Sequence, residues 1–384
     1  MTKKDDTLLK HYIHYQDILY QTLKGETPSE SPDNAAFKLH KSLRTLSPST
    51  PLLRELTITF IPDVYTIRHR LLKEQGDDAS EKTNKQVLSL MRQLDNGAKM
   101  HNYKDFKKAM FELDNLDEDR IKYGLAQLIG IHQKLRDRIA RQKDIRADNF
   151  HEQLRKIGMR PIKRRKWKIL DRLVRYLDYD NLQQVIDFED SESQKDILTK
   201  KIDANTIIVR TPIIKSVADL KLFLNELSKA ILIFYREDGS IEQFFRPGKL
   251  IGLSSMMEHA LKDIVCTKTE RYFMERINAL ENSYYAALAL FDFDLSDTRE
   301  NPSELFRSIM HPVYPVKYDR LWAQHIAKAG QPLMAHYKPI GYIMHQNLKA
   351  ILRKERLFTK KRKARWLKEN VLTRSRDIGL DTLI

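Results

Sequence analysis

The sequence predicts a mainly α (α+β) protein in which two helical lobes flank a small central β-α-β-β sheet element. Three observations predict it. Apolar residues recur every three to four positions over long segments, only 12 Gly and 13 Pro interrupt 384 residues, and β-branched residues concentrate just after Asp203. A chain this long exceeds one average core. The expected division is residues 1–202 as an N-terminal helical lobe, 203–250 as the sheet element and 251–384 as a C-terminal helical lobe with a basic tail.

The first helix is expected over roughly residues 5–23, followed by the polar connector "KGETPSESPDNAAF", whose Asp33 or Asn34 caps the next helix, and by a second break at "TLSPSTPLL". From Leu116 onward Ile121, Leu125, Leu128, Ile131, Leu135 and Ile139 form one stripe. Asp117, Glu118 and Asp119 sit in its first turn, where the helix dipole favours acids. Gly158 and Pro161 are stop signals, and a further helix is expected over about 165–187. The segment "NTIIVRTPII" reads as a strand. Next, "SVADLKLFLNELSKA" reads as one short helix with Ser216 as cap and Asp219 completing a capping box, and "AILIFYREDGSIEQFFRPG" reads as a hairpin. Helices return from Leu253 to the end. There Phe273, Ile277, Leu280, Tyr284, Leu288 and Phe291 make a stripe that should end near Asp292, with Asn301 capping and Pro302 opening the next helix.

Charge points to a polyanionic partner. With 68 Lys and Arg against 52 Asp and Glu the formal net charge is +16, and nucleic acid is the commonest polyanion for such a chain because neutralised phosphates release counterions. An anionic surface, met by an interaction protein, is the alternative. Residues 155–175 hold ten Lys and Arg against Asp171 alone, and residues 349–376 hold twelve against Glu355 and Glu369. Each patch carries a Trp, at 167 and 366. Basic residues interleaved with an aromatic suit a phosphate-tracking face. The expected contacts are Arg155, Lys156, Arg160, Lys163, Arg164, Arg165, Lys166, Trp167 and Lys168 in the first patch, and Lys360, Lys361, Arg362, Lys363 and Arg365 in the second. Arg210, Arg236, Arg246 and Lys249 on or beside the strands are the expected base readers, since a two-stranded ribbon fits the major groove. The expected function is binding of duplex DNA, in preference to RNA, in replication, termination or maintenance of a plasmid or mobile element. A basic sheet between helical lobes, with "IIVRTPII" as its strand, is similar to the architecture of replication-terminus site-binding proteins.

Two motifs raise an enzymatic alternative, a nuclease or toxin. "FDFDLSDT" resembles the first motif of haloacid-dehalogenase phosphatases and the paired-aspartate strand of primase-type polymerases, which would make Asp292 and Asp294 magnesium ligands. The helical stripe that runs into the motif argues instead for aspartates in a loop between two helices. Arg320 and His325 match the Arg-x4-His spacing of HEPN ribonucleases, and that resemblance implies phosphate stabilisation by the Arg and proton transfer by the His. No phosphate loop, dinucleotide fingerprint or nucleophile elbow occurs. No cofactor and no metal are expected. The N-terminal residues do not form a secretory signal, no run approaches about 20 apolar residues, and the single Cys266 excludes a disulfide framework, so a cytoplasmic protein without a membrane span is expected.

Overall fold

The computed structural model describes residues 77–374, apart from 101, 178–180, 192–196, 202–205, 236–246, 299–300, 330–332 and 358, together with scattered positions between 11 and 38. The helix expected over 5–23 and the breaks after it fall largely outside these residues. Among the described residues the chain is mainly α with one small sheet, as expected. Among the described residues no helix is long and apolar enough to cross a membrane.

The first described helices are α1 (Asp77–Met100), α2 (Phe106–Leu113), α3 (Glu118–Lys143), α4 (Phe150–Gly158), α5 (Lys166–Leu177) and the single turn α6 (Leu182–Val185). The start of α3 follows from its letters, because the Asp117 carboxylate accepts the Arg120 N–H at 2.7 Å, a bond worth about 1 kcal/mol at a helix start. Its stripe is interrupted in one place. Ile121, Leu125, Leu128 and Ile139 are buried, whereas Ile131 is 74% exposed.

Three strands follow: β1 (Ile186–Asp190), β2 (Leu198–Lys201) and β3 (Ile207–Thr211), in the order β1-β3-β2, with β3 parallel to β1 and antiparallel to β2. The sheet therefore differs from the expected hairpin. β1 comes from residues expected to end a helix, and "AILIFY" is the last part of α7 (Val217–Tyr235). The capping box explains why. Ser216 Oγ accepts the Asp219 N–H at 3.2 Å and the Asp219 carboxylate accepts the Ser216 N–H at 2.9 Å, which starts a helix whose Leu220, Phe223, Leu224, Leu227, Ile231 and Phe234 are all buried. That stripe keeps the 3.6-residue period straight through the apolar run, so continuing the helix buries the same side chains without a new nucleus. The rest of the expected hairpin lies outside the described residues.

The C-terminal half contains α8 (Pro247–Val265), α9 (Lys268–Thr298), α10 (Pro302–Met310), a 3-10 turn (Asp319–Leu321), α11 (Trp322–Ala329), α12 (Tyr337–Lys354), α13 (Lys360–Leu367) and a π-helical turn (Lys368–Leu372). One buried apolar cluster runs from Val87 to Leu372. α9 crosses it, packed against α3, α7, α10 and α12. It does not end at Asp292 as expected. Three aspartates near a helix C-terminus oppose its dipole by up to about 1 kcal/mol each, but Lys107 bonds Asp297 at 2.6 Å and Lys122 lies 3.7 Å from Asp294. Those cations offset the dipole, and the helix continues to Thr298.

Candidate functional site

The functional geometry starts at the crossing of α8 and α12. Gly252 and Ser255 on α8 face Gly341 on α12 so closely that a Cβ on Gly341 would lie 2.5 Å from the Gly252 carbonyl oxygen. Ser255 Oγ donates to the Lys338 carbonyl at 2.9 Å. This close approach brings polar side chains of α8, α9 and α12 together in the interior.

His259 sits at the middle of that crossing, 3% exposed. Its Nδ1 pairs with the Asn278 amide at 3.2 Å, and its ring packs on Tyr342 and His345 at 5.1 and 5.4 Å. His345 Nε2 bonds the Asp263 carboxylate at 3.1 Å, and Lys349 lies 3.4 Å from the same oxygen. Burial, then the neighbouring Lys262 and His345, hold His259 well below the ordinary imidazole range. Burial does the same to His345 against the pull of Asp263. Both imidazoles are neutral at pH 7. Burial would raise Asp263, but the His345 N–H, Lys262 and Lys349 outweigh it and keep the carboxylate ionised.

Beside the histidines equal numbers of cations and carboxylates form ion-pair networks. Lys221 contacts Glu258 at 2.9 Å and Glu281 at 2.8 Å, Lys338 contacts Glu281 at 2.8 Å, and Lys262 contacts Glu275 at 2.5 Å. The ammoniums of Lys221, Lys262, Lys338 and Lys349 thus balance the carboxylates of Glu258, Asp263, Glu275 and Glu281. Burying so many charges is tolerable only because each is paired. At its edge the centre meets a cavity of about 270 Å³, lined by Asp263, His345 and Lys349 together with residues of α9, α12 and α13.

The centre was not anticipated from the sequence. The usable signal was local: Glu258, His259, Lys262 and Asp263 interrupt a largely apolar helix, and such residues in a buried helix must find partners.

The residues expected to be functional are placed otherwise. Asp292 and Asp294 do not converge as a magnesium cradle, because residues two apart on a helix do not face each other. Asp292 is 1% exposed and accepts the Leu333 N–H, while the Asp294 side chain is 45% exposed beside Lys122. Nor do they line a loop, since both lie inside α9. Arg320 is exposed in the 3-10 turn, with its carbonyl bonded by Asn84, whereas His325 is buried with Nδ1 2.6 Å from the Tyr284 hydroxyl. That separation does not assemble a HEPN pair.

Burial pushes the Asp292 carboxyl up to about 8. Unfolded, it ionises near 4, so its contribution to stability is complete below pH 4 and is lost as pH rises from about 4 to about 8. The Asp292→Asn variant, which keeps an acceptor for Leu333, should lose less stability than the wild type between pH 5 and pH 8. Parallel thermal melts at the two pH values check this, and equal losses would refute it.

The two basic patches meet, because α5 packs on α13, and much of their charge is used internally. Arg164 forms a bidentate pair with Glu270 at 2.9 and 2.8 Å, and Arg160 lies 4.2 Å above the Phe273 ring. Lys166 is buried and donates to the carbonyls of Glu189 and Thr211 and to the Asp190 carboxylate, which ties the ends of β1 and β3 together. Trp167 packs edge-on against Phe188 at 4.7 Å. Lys360 and Arg172 donate to the Ile264 and Val265 carbonyls at 2.6 and 3.2 Å, so they cap the C-terminus of α8. Lys363 lines the cavity, and Arg210 pairs with Glu189 across the sheet. Arg155, Lys163, Arg165, Lys168, Lys361, Arg362 and Arg365 are exposed, as is Lys156 in its pair with Glu152. Lys249 lies in the first turn of α8, not beside a strand, and Arg236 and Arg246 fall outside the described residues.

No family model and no curated protein matches the chain. Among solved structures it is similar to an M32 carboxypeptidase from Deinococcus radiodurans R1, with a TM-score of 0.55 and 12% identity over 98% of this chain and 84% of that one. An oligoendopeptidase F-like protein from Bacillus anthracis str. Ames gives 0.56 and 10% over 99% and 79%, and PZ peptidase A with an inhibitor gives 0.54 and 12% over 94% and 80%. This correspondence overturns the duplex-DNA reading, with its replication role and nucleic-acid partner. Part of the charge that suggested it, at Arg164, Lys166, Arg172 and Lys360, is used in internal bonds.

Peptidases with a helical zinc site take two ligands from His-Glu-x-x-His, and that motif does not occur here. The one His-Glu pair, His151-Glu152, is followed by Arg155 where the second histidine would stand. Four positions before His259 stands Ser255, and three before it stands Met256. Among the described residues no three His, Cys, Asp or Glu side chains are arranged to hold a metal, and the carboxylates around His259 are already neutralised by lysines. The residues present do not fit a catalytic zinc. What the chain shares with these peptidases is the fold.

Proposed function

We propose that this protein binds peptides on a peptidase-like helical scaffold and does so without zinc-dependent hydrolysis. The observation that carries the reading is the likeness to the three peptidase structures, which extends over at least 94% of the chain. The charge-balanced centre supports its second half, since adding a divalent cation there would displace ammoniums from every available carboxylate. A cytoplasmic setting belongs to the same reading and is supported by Cys266, a free buried thiol that burial pushes up to about 12, where it is inert.

The test is a panel of unstructured peptides, followed by fluorescence anisotropy for binding and by mass spectrometry for cleavage, with added zinc and with a chelator. Saturable binding that ignores both additions, with peptides left intact, is the expected result. Absence of binding across the panel would refute the peptide reading, and zinc-stimulated cleavage would refute the metal-independent one.

A further inference from the structure

We infer that the cavity between α8, α12 and α13 is a binding site for a short aliphatic carboxylic acid. Its charge is one-sided. Arg271, Lys349, Arg353 and Lys363 line it against one carboxylate, Asp263, which is already held by His345 and Lys349. The rest of the lining is hydrocarbon, with Leu348, Leu352 and Leu357 among it. A ligand that satisfies both halves has an anionic head and an apolar body.

One polar atom beside the cavity lacks a partner. The Nε of Arg271 is buried with no hydrogen-bond partner. Buried polar atoms are normally satisfied, because leaving one unpaired costs free energy. An oxyanion in the cavity would be met by the guanidiniums of Arg271 and Arg353 and the ammoniums of Lys349 and Lys363, and charge-assisted bonds from guanidinium to carboxylate are among the strongest available.

The surroundings strengthen the same polarity. Arg164 just before α5, Arg172 from α5 and Lys360 from α13 converge on the end of α8, and Lys360 is pushed below its ordinary range by burial and then by Arg271 and Arg172. An anion nearby relieves that crowding. Size selects the ligand class: about 270 Å³ lies just under the roughly 300–1,000 Å³ of drug-sized sites, so the site takes an acid of a few carbons and not an extended chain. This site is independent of the peptide reading.

Calorimetric titration of the full chain with 4-methylpentanoate, with its amide and with inorganic phosphate tests the inference. The acid should bind at least about tenfold more tightly than either comparison ligand, since only it supplies both charge and hydrocarbon. The double variant Arg353→Gln/Lys363→Gln should lose about tenfold in affinity, and Lys361→Gln, exposed on the same helix, should bind as the wild type does. Equal binding of acid and amide, equal binding of acid and phosphate, or an unchanged double variant would each overturn it. Circular dichroism of the double variant separates lost binding from lost folding.

Discussion

Gly341→Ala is expected to destabilise the protein by about 1–3 kcal/mol, the range for an overpacked core, and Gly341→Val by more. The new Cβ would meet the Gly252 carbonyl and the Ser255 Cβ at 2.5 Å and the Met256 nitrogen at 2.8 Å. Two of these three atoms are backbone, so no side-chain rotation removes the clash. α8 and α12 must separate, and separation also pulls Ser255 from the Lys338 carbonyl and His259 from Tyr342 and His345. Gly97→Ala provides the contrast. Nothing lies within 4 Å of that Cβ, and replacing a helical glycine there should stabilise by about 0.5–1 kcal/mol. Urea unfolding midpoints of the two variants should move in opposite directions from the wild type. A Gly341→Ala midpoint at or above the wild-type value would show that the helices have room to spare.

Glu281→Ala should be as damaging or more so. Its carboxylate holds Lys221 and Lys338 at 2.8 Å each, and removing it leaves Lys338 without a carboxylate partner and Lys221 with Glu258 alone. Breaking a buried pair from one side costs about 3–5 kcal/mol, a large part of the roughly 5–15 kcal/mol that holds a domain folded. If the loss is one of charge balance, Lys338→Met in the same chain should recover part of it, and a double-mutant cycle measures how much. Failure of the second substitution to recover any stability would assign the loss to packing. The pH dependence has a definite sign. Burial pushes the Glu281 carboxyl up, but Lys221 and Lys338 outweigh it and hold it well below its usual range. Its stabilisation is therefore complete above the unfolded value near 4.3 and is lost as pH falls below it, a loss that Glu281→Ala should not show.

Features written by neighbours in sequence were legible. The capping bonds of Ser216 and Asp219, the cap at Asp117 and the start of α10 after Asn301 lie where their letters put them, and the stripe from Phe273 to Phe291 forms a helix. Errors arose where a distant partner decides. Asp294 and Asp297 read as helix terminators because Lys107 and Lys122 belong to α2 and α3. The apolar run after Ala230 read as a strand because burial against the rest of the core, which favours either structure, is invisible locally. The basic patches read as a phosphate-binding face because Glu270, Phe273 and the carbonyls of Ile264 and Val265, which engage Arg164, Arg160, Lys360 and Arg172, stand about 90 to 110 positions away. The central histidines were missed for the same reason.

The packing of α8 against α12 also sets the order in which the chain can finish folding during synthesis. α8 ends at Val265 and its partner at Lys354, so about 90 further residues must emerge first. At about 5–20 residues per second this takes on the order of 4 to 18 s. Between the synthesis of Glu281 and that of Lys338, within that interval, Lys221 and Glu281 are already made, but Lys338 and the covering face of α12 are not. The newborn chain therefore carries a half-neutralised, apolar face that chaperones would recognise, and its ribosome-bound stage is the one most exposed to aggregation.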